Sequence, residues 1–210
     1  MAPVAVKICG ITSINQARMV ESAGADAIGL VLYEKSSRYV DLDLAIEIKN
    51  AQSPDIVCIA LVVNAKEKFV REVISKLKPH YIQFHGDESP DFCHQFNYPF
   101  IKAVRMSKDI DMEKILSSYK PPGGFLFDAW HADQYGGTGL IFDWNRLPLN
   151  LDFPLILAGG LNPDNVSGAV KAVRPAMVDV SGGVESSPGI KDEQKVRDFI
   201  LNAKGASAIR

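Results

Sequence analysis

Cysteine is scarce in this sequence: three cysteines, Cys9, Cys58 and Cys93, occur among 210 residues. Their number is odd and no pair has Cys-x-x-Cys spacing, which argues against a disulfide framework and a cysteine-based zinc site. Spacing typical of a metal site is also lacking among three histidines, which are His80, His94 and His131. We therefore expect no metal and no cofactor, and we interpret Cys58 and Cys93 as packing residues.

Long apolar runs and a charge bias are also missing. The longest apolar run, Ile56–Val63, is far shorter than the roughly 20 residues that cross a bilayer. The 23 basic and 25 acidic side chains give a net charge of −2, so no overall basic field attracts nucleic acid. The first ten residues lack the charged start and apolar middle of a signal peptide. We expect a cytoplasmic protein that binds neither membrane nor nucleic acid.

The sequence does contain a regular alternation of strand-like and helix-like segments. Amphipathic stretches separate the strand-like runs; in one of them Phe69, Val70, Val73, Ile74 and Leu77 fall at helical spacing. The eight strand-like runs are Val4–Cys9, Ala27–Leu32, Ile56–Val63, Tyr81–His85, Phe100–Val104, Phe125–Asp128, Pro154–Ala158 and Met177–Ser181. Eight such units predict a (β/α)₈, or TIM, barrel that forms a single α/β domain over residues 1–210.

The chain is short for this fold, which typically takes about 250 residues, so we expect trimmed helices and tight loops. A doubly wound open sheet is the alternative. That fold favours a glycine-rich dinucleotide fingerprint after its first strand, and CGITSIN is not one. Local signals mark the helix ends: Gly24 suits a helix C-terminus, whereas Ser89–Asp91 and Asn162–Asp164 are typical of helix starts.

In a barrel the carboxyl ends of all strands face one mouth, so the residues there are expected to lie together. Two glycine pairs, Gly159–Gly160 and Gly182–Gly183, follow the last two predicted strands. Such turns let backbone N–H groups approach an anion, and the helix expected from Asn162 adds a favourable dipole. The glycines alternatively make tight turns and nothing more. Two pairs after consecutive late strands favour a phosphate site.

Two reactive side chains end other strands at the same mouth. Asp128 ends the apolar run GFLFD, and its carboxylate is either a general acid or base or a hydrogen-bonded structural group. Cys9 ends the first strand, where alternation places Lys7 on its side of the sheet. A lysine beside a thiol lowers the thiol pKa and favours a reactive thiolate. The alternative is a small thiol that fills the core.

Other mouth residues have both a functional and an ordinary interpretation. Arg38 is either a clamp for a carboxylate or phosphate or a solvated surface arginine. His85 either takes part in catalysis or forms hydrogen bonds within the site. The glycine-rich segment His131–Trp144 follows Asp128 and suits a lid that excludes water, or an ordinary connection.

Six motifs together resemble the phosphoribosylanthranilate isomerase family of tryptophan biosynthesis. They run in order from Val6 to about Asp192 and are KICGIT, KSSRYV, FHGDE, DAW…YGGTG…FDW, LAGGLNPDNV and VDVSGGVESSPGIKD. The resemblance implies a cofactor-free barrel that rearranges an aminoaldose phosphate to an aminoketose. It implies that Cys9 is the catalytic base, Asp128 the general acid and Arg38 the anthranilate-binding residue. The phosphate-binding residues that it implies are Gly159, Gly160, Ser181, Gly182 and Gly183; we add Lys7 and His85 to the substrate site.

The chain departs from the family pattern at three positions. Gly182 replaces a serine, which removes a hydroxyl donor but keeps the backbone N–H. Ser37 replaces the proline before Arg38, and Leu140 stands where lysine is frequent. None of these positions is the expected acid or base.

Three other functions remain open at the level of sequence. A related isomerase of histidine biosynthesis has an aspartate in place of Cys9 and a clearer half-barrel repeat. A thiol hydrolase with a Cys9–His85 pair leaves the two glycine turns without a role. A barrel that binds phosphorylated ligands without catalysis is the third. The expected partner is a small-molecule substrate, and the protein is expected to be a monomer or a homodimer.

Overall fold

Eight parallel strands close into a barrel in the computed structural model, which describes residues 3–129, 142–148 and 151–208. The strands pair in chain order, and β1 pairs with β8 to complete the closure. Their bounds are β1 Ala5–Cys9, β2 Ala27–Val31, β3 Val57–Val62, β4 Tyr81–Phe84, β5 Phe100–Met106, β6 Phe125–Ala129, β7 Leu155–Leu157 and β8 Met177–Val180. The predicted (β/α)₈ barrel is confirmed.

The described residues contain seven α-helices, most of which are short, as the chain length predicts. Their bounds are α1 Ile14–Ser22, α2 Leu42–Asn50, α3 Glu67–Lys76, α4 Pro90–His94, α5 Met112–Tyr119, α6 Val166–Val173 and α7 Glu193–Ala208. Two single turns of 3₁₀ helix, Trp144–Arg146 and Gly182–Val184, and a small hairpin of β9 Glu185–Ser187 with β10 Ile190–Lys191 complete the described elements. No helix among them is long and apolar enough to cross a membrane.

Local sequence signals explain most helix ends. Ser89 caps α4, with Pro90 and Asp91 in its first turn, as its sequence predicts. The predicted start of α6 at Asn162 is wrong, because the helix begins at Val166. The Asn162 side chain instead accepts from the backbone N–H groups of Asp164 and Asn165 and stabilises a turn.

The barrel has two hydrophobic regions. Between strands and helices, Val70 and Val73 of α3 and Phe199 of α7 are completely buried, as the helical spacing predicts for α3. A smaller apolar cluster lies inside the barrel and consists of Ala27, Ile59, Ile101, Ala103, Leu126, Ile156 and Ala158. Because side chains alternate along a strand, residues two positions further along these strands face the mouth. This alternation places the candidate functional residues.

Candidate active site

Two cavities at the carboxyl ends of the strands bring most of the candidate residues together. One is lined by Cys9, Arg38, His85, Asp128 and other mouth residues. The other is lined by both glycine turns. Three residues line both cavities, and these are Asp128, Asp179 and Ser181. The candidate acid, the candidate base and the candidate phosphate turns therefore surround one continuous mouth.

Cys9 and Lys7 lie side by side on the inner face of β1, as alternation predicts. Gly29 of the neighbouring strand makes room for both: a Cβ atom there would lie 2.6 Å from Cys9 Sγ and 3.0 Å from Lys7 Cε. A side chain on β2 at this position would displace the thiol. Gly29 is a site residue that the sequence motifs did not reveal.

Lys7 is completely buried at the centre of an ionic group. Its Nζ lies 3.3 Å from Asp179 Oδ1 and donates a 2.6 Å hydrogen bond to Gln83 Oε1. Burial alone would lower the pKa of Lys7, but the charges of Asp179 and Cys9 raise it above the ordinary value. Lys7 is therefore a fixed positive charge beside the thiol.

The expected lowering of the Cys9 pKa is wrong. Burial raises the pKa of the thiol above its ordinary value, and the nearby Asp179 adds to this effect. Lys7, Lys191 and Arg38 act in the opposite direction without cancelling burial. Sequence shows that a lysine is near the cysteine, but the degree of desolvation depends on the folded barrel. Cys58 and Cys93 are also buried, which raises the pKa of each to about 12 and fits a packing role.

Asp128 ends β6 and is buried, with 6% of its surface exposed. Its Oδ1 accepts a 2.8 Å hydrogen bond from the backbone N–H of Ala129. Its Oδ2 lies 3.3 Å from Nε2 of His85, and the other ring nitrogen of His85 lies 2.8 Å from the Gln83 amide nitrogen. His85 is therefore held beside Asp128 rather than against Cys9, which does not favour a Cys–His hydrolase.

Arg38 is not a solvated surface arginine. Its Nε and Nη2 donate hydrogen bonds of 2.7 and 2.8 Å to the two carboxylate oxygens of Glu185. Glu185 also pairs with the buried Lys191 at 2.7 Å. Burial alone would raise the pKa of Glu185, but Arg38 and Lys191 hold it below its usual value. This pairing orients the guanidinium at the rim and leaves its Nη1 edge for a ligand.

The two glycine turns lie against each other. A Cβ atom on Gly183 would be 1.9 Å from the backbone oxygen of Leu161, so the close approach of the turns requires glycine there. Gly159 and Gly160 have φ angles of 82° and 62°. Ser181 Oγ donates a 3.0 Å hydrogen bond to the carbonyl of Cys9, which ties the last turn to the first strand. Gly182, which departs from the family pattern, lines the same cavity through its backbone.

Other predicted features lie outside the described residues or away from the candidate acid and base. The proposed lid residues before Phe142, with His131 and Leu140 among them, lie outside the described residues. Ser37, which replaces the proline of the family pattern, lies in the loop that carries Arg38, and its carbonyl faces Gly189. The residues 3–129, 142–148 and 151–208 contain no group of three His, Cys, Asp or Glu side chains arranged to hold a metal ion.

The family model described as N-(5′-phosphoribosyl)anthranilate (PRA) isomerase matches residues 6–202 of the chain. This chain belongs to that family. It is therefore an aldose–ketose isomerase of tryptophan biosynthesis, as its motifs indicate. A curated N-(5′-phosphoribosyl)anthranilate isomerase from a Marinomonas species is 47% identical over 199 residues, which cover 95% of this chain and 97% of the relative. The Neisseria meningitidis serogroup B protein of the same name is 44% identical over 99% of this chain and all of its own length.

Solved structures of the family have the same barrel. The Thermotoga maritima isomerase superposes with a TM-score of 0.85 at 37% identity, covering 96% of this chain and 99% of that chain. A second solved isomerase, with a TM-score of 0.82, 37% identity and the same coverage, is a complex with reduced 1-(o-carboxyphenylamino)-1-deoxyribulose 5-phosphate. The mouth of the barrel in this chain is lined by Cys9, Arg38, Asp128 and the two glycine turns, which the sequence motifs single out.

Proposed function

We propose that this enzyme converts N-(5-phosphoribosyl)anthranilate into 1-(2-carboxyphenylamino)-1-deoxyribulose 5-phosphate, with Asp128 as general acid and Cys9 as general base. The observation that carries the proposal is that Asp128 lines both cavities, one with Cys9 and Arg38 and the other with the glycine turns. A ligand with a carboxylate at one end and a phosphate at the other fits this arrangement. A solved relative holds a reduced ligand of that kind.

In the first step Asp128 donates a proton to the ribose ring oxygen. The C1′–O bond breaks, and the nitrogen lone pair forms a protonated imine. This cation makes the C2′ proton acidic, and the Cys9 thiolate removes it to give a neutral enolamine. The enolamine then tautomerises to the ketone. One proton has passed from Asp128 to the substrate and another from the substrate to Cys9, which leaves Asp128 ionised and Cys9 protonated. Proton exchange with solvent returns Asp128 to its acid form and Cys9 to its thiolate before the next turnover.

The raised pKa of Cys9 is compatible with the role of a base. A thiol of raised pKa forms less thiolate at neutral pH, but each thiolate is a stronger base. Lys7 stabilises that thiolate, since its fixed positive charge lies next to the sulfur. Lys7 therefore serves the base through charge, while His85 lies beside the acid.

Two anchors hold the substrate between acid and base. Arg38 binds the anthranilate carboxylate through the guanidinium edge that Glu185 leaves open. The phosphate lies against the turns, where the backbone N–H groups of Gly159 and Gly160 donate to none of the described residues. Gly182, Gly183 and the backbone of Ser181 complete this site, and the buried Lys191, 3.2 Å from the Ser181 carbonyl, supplies positive charge beneath it. Anchors at both ends reduce the entropic cost of bringing the ribose to the catalytic groups.

The proposal also includes the expectations from the sequence for domain, location, cofactor and oligomeric state. Residues 1–210 form one catalytic domain that acts in the cytoplasm, without cofactor, on a small-molecule substrate. In this proposal the protein is a monomer or a homodimer.

The experiment follows the conversion of phosphoribosylanthranilate generated in situ by the purified wild type, Cys9→Ala and Asp128→Asn. Loss of an acid or base should lower kcat by about 10²-fold or more. Cys58→Ala is the matched control and should keep the wild-type kcat, because its thiol is buried outside the mouth. Full activity of Cys9→Ala would contradict the role of the thiol. An inactive wild type that converts the aminoaldose of histidine biosynthesis instead would contradict the substrate assignment.

A further inference from the structure

Gln83 is a completely buried amide on the inner face of β4 that the catalytic scheme does not use. An amide in a barrel interior is costly unless both its oxygen and its nitrogen have partners. The oxygen accepts a 2.6 Å hydrogen bond from Lys7 Nζ, and the nitrogen lies 2.8 Å from Nδ1 of His85. Gln83 thus connects the lysine beside the candidate base to the histidine beside the candidate acid.

The direction of these two hydrogen bonds follows from chemistry. The ammonium group of Lys7 has donors and no acceptor, so the Gln83 oxygen must face it. The Gln83 nitrogen has donors alone, so Nδ1 of His85 must accept. A ring nitrogen that accepts carries no proton. The proton of the neutral imidazole is therefore on Nε2.

The Nε2 atom faces the candidate acid. It lies 3.3 Å from Oδ2 of Asp128, and it has no hydrogen-bond partner with suitable geometry among the described residues. Oδ1 of Asp128 is already bound to the Ala129 N–H. Oδ2 is thus the oxygen available for proton transfer, and an N–H group 3.3 Å away stabilises, through its partial positive charge, the carboxylate that forms when the proton leaves.

We propose that Gln83 is a positioning residue for the isomerisation: it keeps the His85 proton on Nε2, the ring nitrogen that lies 3.3 Å from Asp128 Oδ2. The proposal rests on the function given above to Asp128. The opposite tautomer would point a ring lone pair at the carboxylate and place two donors, Nδ1–H and the Gln83 amide, against each other. Rotating the amide to accept from Nδ1–H would place its NH₂ group against Lys7.

Lys7 keeps the amide in this orientation because it is itself fixed. Its Nζ lies between Asp179 and Gln83, and no part of the side chain is exposed. One buried charge therefore determines the proton position on a histidine that it does not contact directly. The route consists of Lys7 on β1, Gln83 on β4 and His85, which directly follows β4.

The tautomer is measured directly by NMR of the imidazole nitrogens in protein with ¹⁵N-labelled histidine, with His85→Gln used to assign the signals. In the wild type we expect a protonated Nε2 and an unprotonated Nδ1. In Gln83→Glu the carboxylate accepts from both neighbours, so Nδ1 should become protonated. Gln95→Glu is the matched control, since Gln95 is exposed and its side-chain amide donates to the backbone carbonyl of Phe92. This change should leave the His85 signals unchanged.

Kinetics provides the second measurement. Gln83→Glu should lower kcat by at least about 10-fold, since a group that sets a histidine tautomer affects the chemical step, while KM should change little. Gln83→Met, which has a similar size and no amide, should give mixed tautomers and an intermediate kcat. A wild-type proton on Nδ1, or variants in which Nδ1 stays fully unprotonated, would overturn the proposal. These NMR results do not depend on turnover, so an inactive wild type would count against the proposed function alone.

Discussion

Leu126 and Asp128 lie two residues apart on β6 and face the same interior, yet they belong to different layers of the barrel. Leu126 packs among apolar side chains such as Ile59, Ile101 and Ile156. Asp128 lies one layer nearer the mouth, beside His85. Both residues are almost fully buried. The comparison teaches that strand alternation determines which face of the sheet a side chain occupies. The layer of the barrel then determines whether burial stabilises the fold or desolvates a polar group.

Burial has opposite consequences in the two layers. Removing Leu126 from water contributes roughly 1.5–3 kcal/mol to stability. Desolvating a carboxylate costs free energy unless partners compensate. The mouth layer supplies those partners in pairs, such as Lys7 with Asp179 and Arg38 with Glu185. These pairs offset the cost of burying charged groups at the mouth, and the apolar layer beneath them supports the barrel.

The largest expected effect comes from extending the apolar layer into the mouth with Asp128→Leu. The variant lacks the proposed acid, so kcat should fall by about 10²- to 10⁴-fold. The free energy of unfolding should change by no more than about 1.5 kcal/mol, because the lost Ala129 hydrogen bond is offset by removal of a desolvated carboxylate. Steady-state kinetics and urea unfolding measure the two quantities. Destabilisation well beyond this range would mean that Asp128 supports the fold.

The second-largest effect is expected from a change in the apolar layer, Leu126→Ala. It should lower the free energy of unfolding by about 2–5 kcal/mol, because a cavity remains in a closed interior. The kcat of the folded fraction should stay within about threefold of the wild type, since the mouth side chains are unchanged. Leu201→Ala is the matched control: that leucine is 70% exposed, and its truncation should cost less than about 0.5 kcal/mol.

The smallest expected effect concerns charge within the mouth layer. Asp179 raises the pKa of Cys9, so Asp179→Asn should lower that pKa. At a given pH more thiolate is then present, and the midpoint of alkylation by iodoacetamide against pH should move to lower pH. Mass spectrometry distinguishes Cys9 from Cys58 and Cys93, each of which has a pKa of about 12. An unchanged or higher midpoint would show that Asp179 acts on Cys9 mainly by holding Lys7.

Local patterns predicted the strands and the mouth well. Alternation placed Lys7 and Cys9 on one face, and strand ends placed Asp128 near Cys9, because both inferences need nothing beyond strand geometry. The predicted start of α6 was wrong because the Asn162 side chain stabilises a separate turn, and regular helix begins only at Val166. The predicted shift of the Cys9 pKa was wrong because desolvation depends on all eight strands.

Long-range partners could not be predicted from local patterns. Arg38 and Glu185 are separated by 147 residues, and Lys7 and Gln83 by 76. No periodicity connects such positions, although a charged Asp179 within an otherwise apolar strand was a signal that could have been read. Gly29 was equally visible as a glycine inside a strand, which commonly marks a close approach of neighbouring atoms.

The hydrogen bond from Ser181 to the Cys9 carbonyl joins residues 172 positions apart. At a synthesis rate of roughly 5–20 residues per second, Cys9 is made on the order of ten seconds or more before Ser181. Throughout that interval Lys7 has no Asp179 to pair with, and the first strand has no eighth strand to close against. A ribosome-bound chain that stops before β8 therefore carries the thiol but no mouth. Because the proposed catalytic groups come together only when β8 pairs with β1, a growing chain should be inactive until the barrel closes. The same closure pairs the buried charge of Lys7 with Asp179.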